Sequence, residues 1–148
     1  AGSGPAAGPG LVDGATLRLP AATRLGTDDR SLPRGREPVD GTDFDFRAAR
    51  PIGATVLDTA YADLLRDPDG LARVRLSRAD GREVTLWADG GWTHLQVFTG
   101  ETLPEPERRR SIAVEPMTCP PNAFASGDGR RLLDPGEELT GRWGIAVG

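Results

Sequence analysis

Between Ala72 and Gly100 apolar and polar residues alternate in short runs broken by glycine-bearing turns. This pattern restricts the region to antiparallel β structure, because side chains along a strand point to opposite faces in turn. Val74 and Leu76 alternate with Arg73, Arg75 and Ser77. Asp80-Gly81 follows, a dipeptide suited to a tight hairpin turn. Val84, Leu86 and Ala88 then alternate with Thr85 and Trp87. After Asp89-Gly90-Gly91, Leu95, Val97 and Thr99 alternate with His94, Gln96 and Phe98. Three strands at roughly ten-residue spacing predict an antiparallel meander.

The flanks carry weaker signals of the same kind. Ala15–Leu19 alternates and stops at Pro20, and Ile112 and Val114 alternate with Ala113 and Glu115. In the last element Leu139, Trp143, Ile145 and Val147 share one face. Residues 27–45 are polar and punctuated by Pro33, Gly35, Pro38 and Gly41, which reads as loop. Leu57, Tyr61, Leu64 and Leu65 have helical spacing, with Asp58 as a possible cap, so that segment stays open between helix and strand. With 20 Gly and 13 Pro in 148 residues, the composition argues against a helical bundle. Several short strands with frequent turns predict an all-β antiparallel sandwich or barrel. Residues 1–10, AGSGPAAGPG, read as a flexible Gly/Pro/Ala-rich segment ahead of a single domain over 11–148.

Composition narrows the function. A net charge of −4 argues against nucleic acid, which needs a basic face. No apolar run reaches the ~18–20 residues of a membrane helix, and no signal-peptide pattern opens the chain. A cytoplasmic location is expected. One Cys rules out an internal disulfide, and one Cys with one His argues against a usual zinc site. All 18 basic residues are arginine, which excludes Schiff-base and P-loop lysine chemistry.

Among individual residues, Glu115 faces opposite to Ile112 and Val114, at the end of a strand, before the rigid Pro120-Pro121. A carboxylate so placed can act as a base, and an ordinary strand-end acid has the same pattern. Gln96 lies on the polar face of its strand and could hydrogen-bond a hydroxylated ligand; a solvent-facing role fits equally. Asp58 reads as a cap or turn residue. Arg108-Arg109-Arg110 reads as a solvated turn, His94 as a structural or surface histidine, and Cys119 as a small buried residue. Trp87, Trp92 and Trp143 could stack on a sugar face or fill the core.

Taken in order, several segments resemble the aldose 1-epimerase (galactose mutarotase) family. They are Ala21-Ala22-Thr23-Arg24-Leu25, Gly41-Thr42-Asp43-Phe44-Asp45-Phe46-Arg47, Pro51-Ile52-Gly53 and Leu57-Asp58. Leu95-Gln96-Val97-Phe98-Thr99-Gly100, Ala113-Val114-Glu115-Pro116-Met117-Thr118, Pro120-Pro121-Asn122-Ala123-Phe124 and Leu133-Asp134-Pro135-Gly136-Glu137 complete the series. The resemblance implies a large antiparallel β-sandwich, the mutarotase supersandwich, with an open sugar cleft. It tilts 57–65 towards strand and loop. It also implies interconversion of the α and β anomers of an aldohexose such as glucose or galactose. A base takes the anomeric hydroxyl proton, an acid protonates the ring oxygen, and the ring opens and recloses. No cofactor or metal is implied. Glu115 falls on the family's general base, and Asp58 and Gln96 fall on residues that hold sugar hydroxyls.

Departures from the family pattern carry their own expectations. The family's acid histidine, a second sugar-binding histidine and an arginine come from the first half of the fold, and nothing here matches them. His94 falls on neither histidine position. The chain is therefore expected to be the C-terminal part of the sandwich. It should carry the base without the acid, be inactive alone, expose one apolar face and need an N-terminal half as its partner. If the chain were active alone, His94 or Tyr61 would be the suspected acid. A hexose-6-phosphate epimerase of the same fold and a non-catalytic carbohydrate-binding module are the alternatives.

Overall fold

The computed structural model describes residues 10–30 and 32–148. The predicted flexible segment over 1–10 therefore lies outside the described residues, apart from Gly10. A 3-10 turn at Val12–Gly14 precedes β1 (Thr16–Arg18), β2 (Ala21–Thr27), β3 (Pro33–Pro38), β4 (Arg50–Pro51) and β5 (Asp58–Leu64). Then come β6 (Ala72–Ser77), β7 (Glu83–Ala88), β8 (His94–Phe98), β9 (Ala113–Met117), the single-turn helix α1 (Ala123–Ser126) and β10 (Trp143–Val147). The described strands form two five-stranded sheets, ordered β10-β7-β6-β1-β4 and β3-β2-β5-β8-β9. Every pairing is antiparallel. The fold is the all-β mutarotase-like sandwich that the sequence predicts.

Alternation assigns each strand's buried face. Leu17, Val74 and Leu86 come from the first sheet; Tyr61, Leu95 and Val97 come from the second. Phe46, Ile52 and Leu57, from the connections, complete the core with at most 1% exposure each. Each large side chain buried this way contributes roughly 1.5–3 kcal/mol of transfer free energy.

This architecture corrects the expectation of a half sandwich waiting for an N-terminal half. Within the chain itself two sheets already face each other across one core. A lone half would leave the core face of one sheet bare, whereas Leu17, Tyr61 and Val97 are all fully buried. At one end the sheets are out of step. β10 extends the first sheet along β7, and Val84, Ile145 and Val147 remain exposed there. Val84 and Ile145 line an apolar groove of about 240 Å³ with Ile112 and Val114.

Two local expectations change, and one open question is answered as the family resemblance implied. β6 and β7 form the hairpin over Asp80-Gly81, with Gly81 at φ 85. The third strand of the predicted meander, however, crosses to the other sheet, where β8 lies between β5 and β9. The partner of β7 is instead β10, distant in sequence. Residues 27–45, read as loop, contain β3. That edge strand, PRGREP, is mostly exposed, so it shows no apolar alternation, and proline is tolerated at an edge. Residues 58–64 are strand. Leu57 and Tyr61, four apart, share a face in a strand as well as in a helix, which is why spacing alone left the question open.

Arg109 ties the loops together. Its guanidinium donates to Asp13 (2.8 Å), Glu101 (2.9 Å) and the carbonyls of Gly53 (2.8 Å) and Thr55 (3.3 Å). With 9% exposure it is a buried clasp, not the solvated turn residue expected of Arg108-Arg109-Arg110. No helix among the described residues is long and apolar enough to cross a membrane.

Candidate active site

β5, β8 and β9 lie side by side, and their outward-facing residues make one surface on the side away from the core. Leu95 and Val97 point inward, so His94, Gln96 and Phe98 point outward. Gln96 is directly opposite Glu115 on β9 and Ala60 on β5, while Asp58 is opposite Phe98. Opposed side chains in such pairs have Cβ atoms about 4.5–5.5 Å apart. Gln96 therefore stands between Glu115, straight across, and Asp58, on the diagonal. The Gln96 Nε2 donates to Asp58 Oδ1 at 2.8 Å. Asp58 and Glu115 are exposed, and Ala60 is small and buried. The result is an open surface with a low floor.

Local packing holds each group in place. The buried Thr99 fixes the start of β5: its N–H donates to Leu57 O (2.9 Å), and its Oγ1 accepts from the Leu57 N–H (3.0 Å). Asp58 follows Leu57 directly. Val114 packs against the core beside Val97, which turns Glu115 outward. Pro116 follows at no cost to the free side of β9, an edge strand. One N–H of the Gln96 amide is used on Asp58, which leaves its carbonyl as an acceptor beside a second N–H. Two carboxylates and one amide oxygen make a surface of acceptors, suited to a ligand rich in hydroxyl donors.

His94 is on the same face, two residues before Gln96 and opposite Met117. It is 3% exposed. Its Nδ1 lies 2.8 Å from Thr93 Oγ1, which donates its own proton to Thr118 O at 2.9 Å. Thr93 must then accept, so the proton of the neutral ring sits on Nδ1. Nε2 is left with a lone pair and, among the described residues, no hydrogen-bond partner. Burial lowers the His94 pKa, with Arg36 adding to the effect and Asp128 and Asp63 opposing it. The ring is neutral at pH 7.

Tyr61 lies on the other side. It is fully buried in the core, its hydroxyl donates to Phe44 O at 3.2 Å, and burial raises its pKa. It cannot act at the outer face. The tryptophans are also away from it. Trp87 and Trp143 belong to the first sheet, and Trp92 packs against Gly141. Cys119 is half-buried. Among the described residues no group of three or more His, Cys, Asp or Glu side chains is placed to hold a metal ion. The three residues singled out in the sequence thus share one patch. The unpaired His94 Nε2 beside them was missed, because nothing in the sequence shows that Thr93 and Thr118 set the tautomer.

Known proteins agree with this fold. The family model for aldose 1-epimerase matches residues 5–146. The "Uncharacterized protein YihR" of Escherichia coli (strain K12) is 34% identical over 127 residues, which cover 85% of this chain and 38% of the relative. A provisionally assigned aldose 1-epimerase of Escherichia coli K12 superposes with a TM-score of 0.73 at 15% identity, covering 93% of this chain and 47% of that one. The GalM/aldose epimerase homologue of Caenorhabditis elegans gives 0.60 at 17% identity, covering 72% and 37%. The galactose 1-epimerase of Lactobacillus acidophilus NCFM gives 0.55 at 22% identity, covering 68% and 32%. The chain therefore spans less than half the length of each of these relatives. With a family model matched along nearly its whole length, the chain belongs to the aldose 1-epimerase family.

Proposed function

We propose that the face of β5, β8 and β9 binds a neutral aldohexose such as glucose or galactose and that Glu115 is the base for exchange of its anomers. The observation that carries this reading is the juxtaposition of Gln96 with Asp58 at 2.8 Å and with Glu115 directly across the β8–β9 pair. Asp58 and Gln96 accept hydrogen bonds from ring hydroxyls. Glu115 takes the proton of the anomeric hydroxyl as the C1–O5 bond breaks. The aldehyde carbon then rotates, the ring recloses, and Glu115 returns the proton. A glutamate carboxylate is well suited to hold and release that proton. A hexose 6-phosphate fits less well, because Asp58 and Glu115 would repel a phosphate.

The O5 oxygen must gain a proton when the ring opens. His94 is no acid here, since its one ring proton is bound to Thr93 and its Nε2 carries none. Proton delivery then falls to water, which forfeits the ~10²–10⁴-fold contribution of a positioned acid. The same observation favours a second reading, a non-catalytic carbohydrate-binding module.

Polarimetry of freshly dissolved α-D-galactose and α-D-glucose, with and without the chain, separates the two. Weak acceleration that disappears in Glu115→Gln supports the base role. Sugar-dependent stabilisation against heat that survives Glu115→Gln, with no acceleration by either form, supports the binding module. Absence of both effects would refute the sugar site.

A further inference from the structure

The lone pair on His94 Nε2 is a feature that anomer exchange leaves unused. The chain Thr118 O, Thr93 hydroxyl, His94 Nδ1 locks the ring so that Nε2 can only accept. The ring lies on the sugar-facing side of β8, one side-chain step from Gln96, a distance of about 7 Å along a strand. That is on the scale of a hexopyranose with its substituents. The segment after β9 brings Asp128 near the ring and is anchored by the buried Pro120 and Ala123, with residues 124–129 exposed. The hydrogen bonds of Asn122–Arg130 are local: Ala125 and Ser126 to Asn122, Gly127 to Ala123, and Arg130 to Gly127. Phe124 points out with 91% exposure. Pro120, Pro121, Ser126 and Asp128 border a cleft of about 130 Å³ against Leu25 and Arg36.

We propose that His94 Nε2 is a binding group for a hydroxyl of a neutral sugar seated on Gln96 and Glu115, reached when the 119–129 segment lifts from this end of the face. Segments with few contacts to the rest of a fold are the ones that open at low cost. An acceptor-only nitrogen selects a donor, so it takes a hydroxyl and discriminates against a sugar lacking one at that position. Burial keeps the ring neutral and competent to accept at neutral pH; among the charged groups around it, Arg36 on β3 adds to that effect, and Asp128 after α1 and Asp63 on β5 oppose it. Arg36 is itself bound to Asp63 at 2.6 Å.

This inference rests on the sugar-site reading, and one experiment separates their failures. The chain has one histidine, so NMR of isotope-labelled imidazole nitrogens reports His94 alone. Titration with D-galactose and with D-glucose is expected to shift the Nε2 resonance in the direction of hydrogen-bond acceptance, while Nδ1 stays protonated. His94→Asn can still meet Thr93 but lacks the outer acceptor; it should bind the responding sugar about tenfold more weakly. His94→Gln, whose amide oxygen can reach the Nε2 position, should recover most of that loss. If the backbone amides of Gln96 and Glu115 respond to sugar while Nε2 does not, the His94 role is wrong and the sugar site stands. If neither the amides nor Nε2 respond to either sugar, both are wrong.

Discussion

Removing the Arg109 guanidinium should loosen the chain far more than removing either of its neighbours. In Arg109→Met the side chain keeps its apolar length and loses every donor. Five acceptors are released: Asp13, Glu101, the Thr99 hydroxyl and the carbonyls of Gly53 and Thr55. The two carboxylates are partly exposed, at 24% and 38%, and rehydrate, so each pair contributes at most ~1 kcal/mol. The carbonyls are less easily satisfied. Charge-assisted hydrogen bonds to them contribute about 1.5–3 kcal/mol each. Simple addition gives about 3–8 kcal/mol; such terms are not additive, and the about 3–5 kcal/mol found when one partner of a buried ionic pair is removed is the expected cost. At ~2–4 °C per kcal/mol for a chain of this size, the melting temperature should fall by about 6–20 °C. Arg108→Met is the control, because Arg108 is exposed, donating to Leu103 O at 3.2 Å and pairing with the exposed Glu105 at 3.9 Å. Differential scanning calorimetry of both variants is the assay. A melt of Arg109→Met within ~3 °C of wild type would refute the clasp. The effect should extend to the site, because residues 53–57 lead directly into Asp58; Arg109→Met should also weaken sugar binding.

Leu95→Ala, at a position 1% exposed, should cost about 2–5 kcal/mol. Ile145→Ala, at 60% exposure, should cost well under that; urea titration of both checks whether the β10 end contributes to the core. Tyr61→Phe should lose about 0.5–1.5 kcal/mol with its bond to Phe44 O and leave sugar binding intact. Because burial raises the Tyr61 pKa, the unfolded chain ionises first, and wild-type stability should fall as pH rises above about 10. Tyr61→Phe should lack that part of the decline. The His94 pKa is lowered, so the opposite sign holds. The unfolded chain takes up the proton first, and stability should fall as pH drops below about 6.5. Thermal melts across that range should show the decline in wild type and not in His94→Gln.

What could be read from the sequence depended on whether one strand or two were involved. The facing of Gln96 and Glu115 follows from single strands, because Val97 and Val114 must be buried. The bond between Gln96 and Asp58 joins residues 38 apart, and nothing local specifies which strand lies beside β8. That choice is made by packing, in the register that sets Tyr61 against Leu95 and Val97 against Val114. β3 was hidden because an exposed edge strand needs no apolar side. Arg109 was hidden among three consecutive arginines, since its burial comes from loops that meet only in the folded chain.

The same register explains why the candidate site is tied to the core. Side chains on a strand repeat every two residues, so a one-residue slip of β8 would turn Gln96 and His94 inward and expose Leu95 and Val97. Those two side chains are at most 1% exposed, and the slip would forfeit roughly 1.5–3 kcal/mol for each. It would also break the bonds from Thr99 to Leu57 that begin β5. Asp58, Gln96 and Glu115 are therefore held together chiefly by the apolar residues beside them in sequence, and only secondarily by the hydrogen bond between two of them. A substitution such as Leu95→Ala should accordingly disturb the outer face without touching it, whereas Asp58→Asn, which leaves the core intact, should change ligand binding with little change in stability.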